Sequence, residues 1–271
     1  PPPPPPPPPP EGDHDIKHAR FTVAFSNVSC VGTSTLAAVG IAVYSYVGLD
    51  YNESEVVLTA IQSAATNGLS VTASFGTATF SESRSNVSID RHICAARGSR
   101  VEGRGRHTVA AGGIAVAVTE RGGAYLHAAA LTLTATTSAS SGSNSVCTLG
   151  IALRCNAGAA VGSLARVTMR ADTSDIVTQG DSSISSLGAS TYGGADSADL
   201  DVSDWTVRAW RSNVNTIGTS SAASLGIALY AYYGSVSTIV ARAAVRSCQS
   251  NVSTSGAAGV ASVVLAPRRT V

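Results

Sequence analysis

The feature that most constrains this chain is a glycine that returns at a nearly constant interval, each time opening the same short phrase. The best copies are Gly40-Ile-Ala-Val-Tyr-Ser-Tyr, Gly113-Ile-Ala-Val-Ala-Val, Gly150-Ile-Ala-Leu and Gly226-Ile-Ala-Leu-Tyr-Ala-Tyr. Weaker copies open at Gly76, Gly188 and Gly259, so the successive spacings are 36, 37, 37, 38, 38 and 33 residues. A second run follows about 16 residues after most of these glycines, as in Val56-Val-Leu-Thr-Ala, Ala165-Arg-Val-Thr-Met and Trp205-Thr-Val-Arg-Ala. It often leads into Ser-Asn-Val, and a Ser/Gly/Ala stretch then leads to the next glycine.

Within these runs apolar residues recur every second position, the period of a strand with one face buried. Leu131–Ala135, Ala165–Ala171 and Ile239–Val245 alternate in this way, with Arg166, Arg170 and Arg242 on the outward side. No segment carries a helical period. Units of about 37 residues with two or three short strands cannot bury an inner face alone, whereas stacked units share one core. The expected fold is therefore all-β, a parallel β-helix (β-solenoid) of about seven coils over residues 20–271. At about 4.8 Å per coil it would be roughly 34 Å long. Composition agrees with a narrow interior, because the apolar residues are mostly Ala and Val and aromatics are 5 %.

Ahead of the repeat stand ten consecutive prolines, Pro1, Pro2, Pro3, Pro4, Pro5, Pro6, Pro7, Pro8, Pro9 and Pro10. Proline fixes φ and lacks an N–H, so residues 1–10 are expected as a polyproline II rod of roughly 31 Å. All ten are candidates for hydroxylation and O-glycosylation. Residues 11–19 read as a polar linker; His14 and His18 have the spacing of a helical metal pair but no third ligand nearby. Asn27, Asn52, Asn86 and Asn251 each open an Asn-x-Ser sequon. Three of them share the phrase Ser-Asn-Val-Ser and are expected in the same kind of turn.

The five cysteines include no Cys-x-x-Cys pair, so no zinc site or other metal is expected. Cys147 and Cys155 are candidates for a short-loop disulfide. A net charge of +1 leaves no general footprint for nucleic acid, and no run of about 18 apolar residues exists to span a membrane. The chain opens on Pro1 and reads as a mature fragment, its sequons implying a secretory route.

The stretch Val207 to Tyr232, with Phe25-Ser-Asn and Gly112-Gly-Ile, resembles right-handed parallel β-helix repeat proteins. That group includes polymorphic outer-membrane-protein-like chains and extracellular glycoproteins of algae and protists. The resemblance implies an extracellular, wall-like or adhesive role for residues 20–265. Three function classes follow. The first is a structural subunit of an extracellular glycoprotein fibril or wall layer that assembles head to tail, with itself and glycans as partners and no cofactor. The second is an adhesin or glycan-binding module, for which Tyr44, Tyr46, Tyr230, Tyr232 and Tyr233 would form a surface row. The third is a polysaccharide-degrading enzyme, which would need a Ca²⁺-binding cluster such as Asp196, Asp199, Asp201 and Asp204 beside Arg208 and Arg211. No catalytic constellation stands out, and the expectation is a non-enzyme.

Overall fold

The computed structural model describes residues 12–30, 35–67, 71–103, 108–119, 122–143, 146–257 and 259–269. The polyproline expectation falls on residues 1–10 and lies outside the described residues.

The chain is a parallel β-solenoid. Every strand pairs in parallel with the strand one turn later, and four sheets run along the axis. One rung is a long strand, such as Gly123–Thr136, followed by three short ones, Ala139–Ser143, Val146–Thr148 and Ile151–Cys155. Each rung therefore feeds four sheets, here called the long, second, third and fourth sheets, the first rung giving the long sheet two strands, Gly12–Lys17 and Arg20–Ala24. Seven rungs stack. They open at Gly12, Leu49, Ser85, Gly123, Ala159, Ala198 and Val236. The first strand, Gly12–Lys17, pairs with 49–54, so the expected linker 11–19 is largely part of the first rung. His18 follows it and forms an ion pair with Glu55.

The long strand has one face in the core and one in solvent, which is why it alternates. Its alternation resets once per rung. Glu55, Arg91, Ala130, Arg166, Asp204 and Arg242 all take φ near +55°, as does His18 in rung 1. This bulge adds one residue, so the inward positions of the second rung are Leu49, Tyr51 and Glu53 before it and Val56, Leu58 and Ala60 after it.

The third and fourth sheets behave differently. Strands such as Val109–Ala111 and Ile114–Val118 are buried at every position. On the fourth sheet Ile114, Val116 and Val118 point into the main core, while Ala115 and Ala117 join Val109 and Ala111 in a second core. Burial on both faces removes the period-2 signal. For this reason the third-sheet strands lie in the Ser/Gly/Ala stretches that read as connections, and each rung has four strands rather than two or three.

The recurrent glycine sits at the corner between the third and fourth sheets. A Cβ on Gly40, Gly76, Gly150, Gly188 or Gly226 would lie 2.0–2.3 Å from the carbonyl oxygen of the same position one rung later. Only glycine permits that approach. The seventh member of the column is not Gly259. The register Ile227↔Leu265 places Val264 above Gly226, and Gly259 instead precedes the third-sheet strand Val260–Ser262.

Candidate functional site: axial ladders and exposed faces

Four columns of side chains run along the axis. The most regular is a serine column at the corner between the long and second sheets: Ser26, Ser63, Ser99, Ser138, Ser174, Ser212 and Ser250. Each serine hydroxyl caps the backbone N–H of the serine one rung earlier, at 3.1–3.4 Å, through all six steps. Each of the seven hydroxyls also donates to the carbonyl two residues before it, at 2.9–3.2 Å. A corner N–H that would be buried and unpaired is thereby satisfied once per rung. In the sequence the column is a serine recurring every 36–39 residues at the end of each alternating run.

A related device holds the glycine corner. In Ser74-Phe-Gly76, Thr148-Leu-Gly150 and Ser224-Leu-Gly226 the hydroxyl accepts from the glycine N–H at 2.9–3.0 Å.

The third column is aromatic and lies at the fourth position of the fourth-sheet strands. Tyr44 stacks on Phe80 at 5.2 Å, and Tyr192 stacks on Tyr230 at 5.3 Å. Between them stand Ala117 and Arg154, the latter with its guanidinium 4.3 Å from the Tyr192 ring centroid. Burial draws Arg154 down to about 10, so it stays charged at neutral pH. The expected surface row of tyrosines is thus divided. Tyr230 is fully buried and Tyr44 is half-buried in this column, whereas Tyr46 and Tyr233 are exposed. Tyr232 and Tyr233 border a cleft of about 540 Å³ with Arg154, Asn156 and Tyr192.

The fourth column follows the positive-φ bulges and alternates in sign where it is charged. His18 pairs with Glu55, Glu55 with Arg91 at 2.9 Å, and Asp204 with Arg242 at 2.8 Å. The Arg242 hydrogen bond and the charges of Arg242 and Arg166 hold the Asp204 carboxyl below its ordinary range.

Rung 2 buries a cluster of polar side chains around a carboxylate. Glu53 is buried in rung 2 and accepts from Tyr51 Oη at 2.7 Å, from Thr77 Oγ1 at 2.6 Å and from His92 Nδ1. Burial alone would raise the Glu53 carboxyl; the His92 hydrogen bond and charge, with those of Thr77 and Tyr51, outweigh it and hold the group low. Burial and the Glu53 charge push the Cys94 thiol up to about 12, away from reactivity at neutral pH. Nothing in the single-residue pattern marked Glu53 or His92, because each occupies an inward position that reads as apolar in the neighbouring rungs.

Asn27, Asn52, Asn86 and Asn251 are all exposed, on the outward side of strands. Asn27 and Asn251 open second-sheet strands and Asn86 is the second residue of a long strand. The shared Ser-Asn-Val phrase is therefore a strand start, with serine and valine inward, rather than one kind of turn. Cys147 and Cys155 form no bridge. Both are buried, Cys147 on the third-sheet strand before the Gly150 corner and Cys155 at the end of the fourth-sheet strand after it. Asp199 and Asp201 face outward on one strand as expected. Asp204 is engaged by Arg242, and among the described residues no group of three His, Cys, Asp or Glu side chains could hold a metal ion.

No known relative emerges. The chain matches no family model, no curated protein and no solved structure. Among the described residues no helix is long and apolar enough to cross a membrane. The parallel β-solenoid is thus established by geometry, independently of the sequence resemblance.

Proposed function

We propose that this chain is a structural rod, a subunit of an extracellular fibril or wall layer that assembles head to tail, and not an enzyme. The observation that carries this reading is the serine column. One hydrogen-bonded device repeats without interruption through all seven rungs. A protein built to position a few reacting groups needs accuracy in one place, whereas a rod needs every axial step to be alike. The outward placement of the four sequons leaves room for glycans.

Val264 limits how copies can join. A Cβ at this column points at the carbonyl of the next rung, and Val264 carries one where six earlier rungs have glycine. A second copy cannot continue the fourth sheet in the geometry of the earlier steps, so the contact between copies is offset at that corner.

Electron microscopy of the native, unlabelled material tests the reading. Ordered filaments with an axial subunit repeat near seven rungs, about 34 Å plus any linker, are expected. Dispersed particles at high concentration overturn it. Mass spectrometry before and after endoglycosidase treatment tests Asn27, Asn52, Asn86 and Asn251.

A further inference from the structure

The outward face of the long sheet changes character along the axis. One column reads Thr59, Ala95 and Thr134 in rungs 2 to 4, then Arg170, Arg208 and Arg246 in rungs 5 to 7. In-register neighbours on a parallel sheet lie about 4.8 Å apart. Three guanidinium groups are thus held close on one exposed line, and like charges in such positions destabilise a sheet. One carboxylate relieves them: Asp172 accepts from Arg170 Nε and Nη2, each at 2.8 Å. Among the described residues no carboxylate pairs with Arg208 or Arg246. The neighbouring outward column places Trp210 beside Arg208, the residue 46 % exposed and the Arg211 guanidinium 5.8 Å from its ring centroid, and Cys248 beside Arg246. Together these side chains line an open cleft of about 640 Å³.

We infer that this cleft binds an extended polyuronate, a linear glycan with one carboxylate on every sugar, laid along the solenoid axis. Guanidinium groups pair bidentately with carboxylates, and their planar forks suit an anion held in a fixed orientation. The rung spacing is close to the length of one pyranose in an extended chain, so carboxylates that recur on one side of such a chain, at every sugar or every second sugar, fall in step with the arginine line. Trp210 offers an exposed aromatic face on which the C–H side of a sugar ring can pack. Charge balance argues against a nucleic acid: the whole chain is only +1, and Asp199, Asp201 and Asp204 lie on the same sheet. This binding does not depend on the filament reading, because the cleft lies within one copy.

The test is calorimetric titration of the full chain with a hexa-uronate, with a neutral hexasaccharide, a sulfated oligosaccharide, a single-stranded oligonucleotide and anionic lipid vesicles as alternative ligands. The hexa-uronate is expected to bind best, and more weakly as salt rises. Arg208→Gln and Arg246→Gln each lose about tenfold in affinity, the loss of one charge-assisted pair. Arg170→Gln loses less, because Asp172 already holds that side chain, and Asp172→Asn tightens binding by freeing it. These side chains are exposed, and unchanged melting temperatures confirm that the variants fold. Equal binding of the neutral sugar, or no effect of Arg208→Gln and Arg246→Gln, overturns the proposal. Preference for the sulfated ligand, the oligonucleotide or the vesicles overturns the uronate assignment.

Discussion

Rungs 2 and 3 and rungs 5 and 6 are built on equivalent strands in the same register, yet the long-sheet core of the first pair buries an ionisable pair, Glu53 and His92, where that of the second is filled by apolar side chains. In rungs 2 and 3 the inward positions hold Tyr51, Glu53, Thr77, Thr79 and His92, and Thr79 Oγ1 and His92 Nε2 are buried without a partner. On the long strands of rungs 5 and 6 the inward positions hold Leu164, Val167, Met169, Leu200, Val202 and Trp205, and Trp205 Nε1 and Thr178 Oγ1 of the second sheet are likewise buried without a partner. The backbone ladders, with their serine and glycine corners, are the same in both. The solenoid therefore separates two tasks. Axial hydrogen bonds specify the coil, and core chemistry is free to vary as long as each rung is filled and its polar groups are mostly paired.

Breaking the two cores is the strongest way to test that separation. Trp205→Ala is expected to cost about 3–5 kcal/mol through the cavity it leaves. Glu53→Ala is expected to cost a similar 3–5 kcal/mol by a different route, since it strands His92 without its partner in a buried site. Denaturant unfolding measures both losses, and hydrogen exchange should place the first in rungs 5 and 6 and the second in rungs 2 and 3. Replacing the pair together, Glu53→Leu with His92→Leu, should recover most of the loss. A double variant as unstable as Glu53→Ala would show that the polar core has no apolar equivalent.

Acid separates the two regions more gently. The Glu53 carboxyl titrates below its ordinary value of 4.5 in the folded chain. Its contribution is fully present above the unfolded value and is lost as pH falls through the lower folded value. Stability should therefore drop as pH is lowered below about 4.5, with rungs 2 and 3 opening first. Glu53→Gln should remove that local acid response, measured by hydrogen exchange against pH; an unchanged profile would assign the response to other carboxylates.

The serine column should be indifferent to the core beside it. Ser99→Ala and Ser174→Ala each remove the cap on a buried N–H of the preceding rung, at Ser63 and Ser138. Each should cost about 1–3 kcal/mol, and the two should agree. A large difference would mean that the core, rather than the corner, sets the strength of the ladder. The smallest effect is expected on the exposed charge column, where Asp204→Asn should lower the melting temperature slightly at low salt and not at high salt.

Much of the fold was legible because a repeat reports stacking directly. The glycines at 40, 76, 113, 150, 188 and 226 are the observed column, and the outward positions of Arg166, Arg170 and Arg242 follow from alternation. The last rung misled because Gly259 offers a glycine while the register demands Val264. Val264 takes the place of the glycine in that rung, so the repeat signal weakens there. The third sheet was hidden by its burial on both faces, and the tyrosine row was divided because alternation gives a side chain's direction without saying that a second core lies on that side.

The sequence by itself determined the class of fold, the axial period and the glycine corner, because these depend on local spacing and on identity between copies; the bulge that resets the long strands, and so turns Ile239 outward, was not legible in it. Tertiary structure alone decided what meets across the core and between rungs. Glu53 and His92 are 39 residues apart, and Arg208 lies 38 residues from Arg170 on one side and from Arg246 on the other. Such partners become neighbours only when whole rungs close in one register. That register is the sum of many weak inter-strand contacts, and no single stretch of the chain contains it.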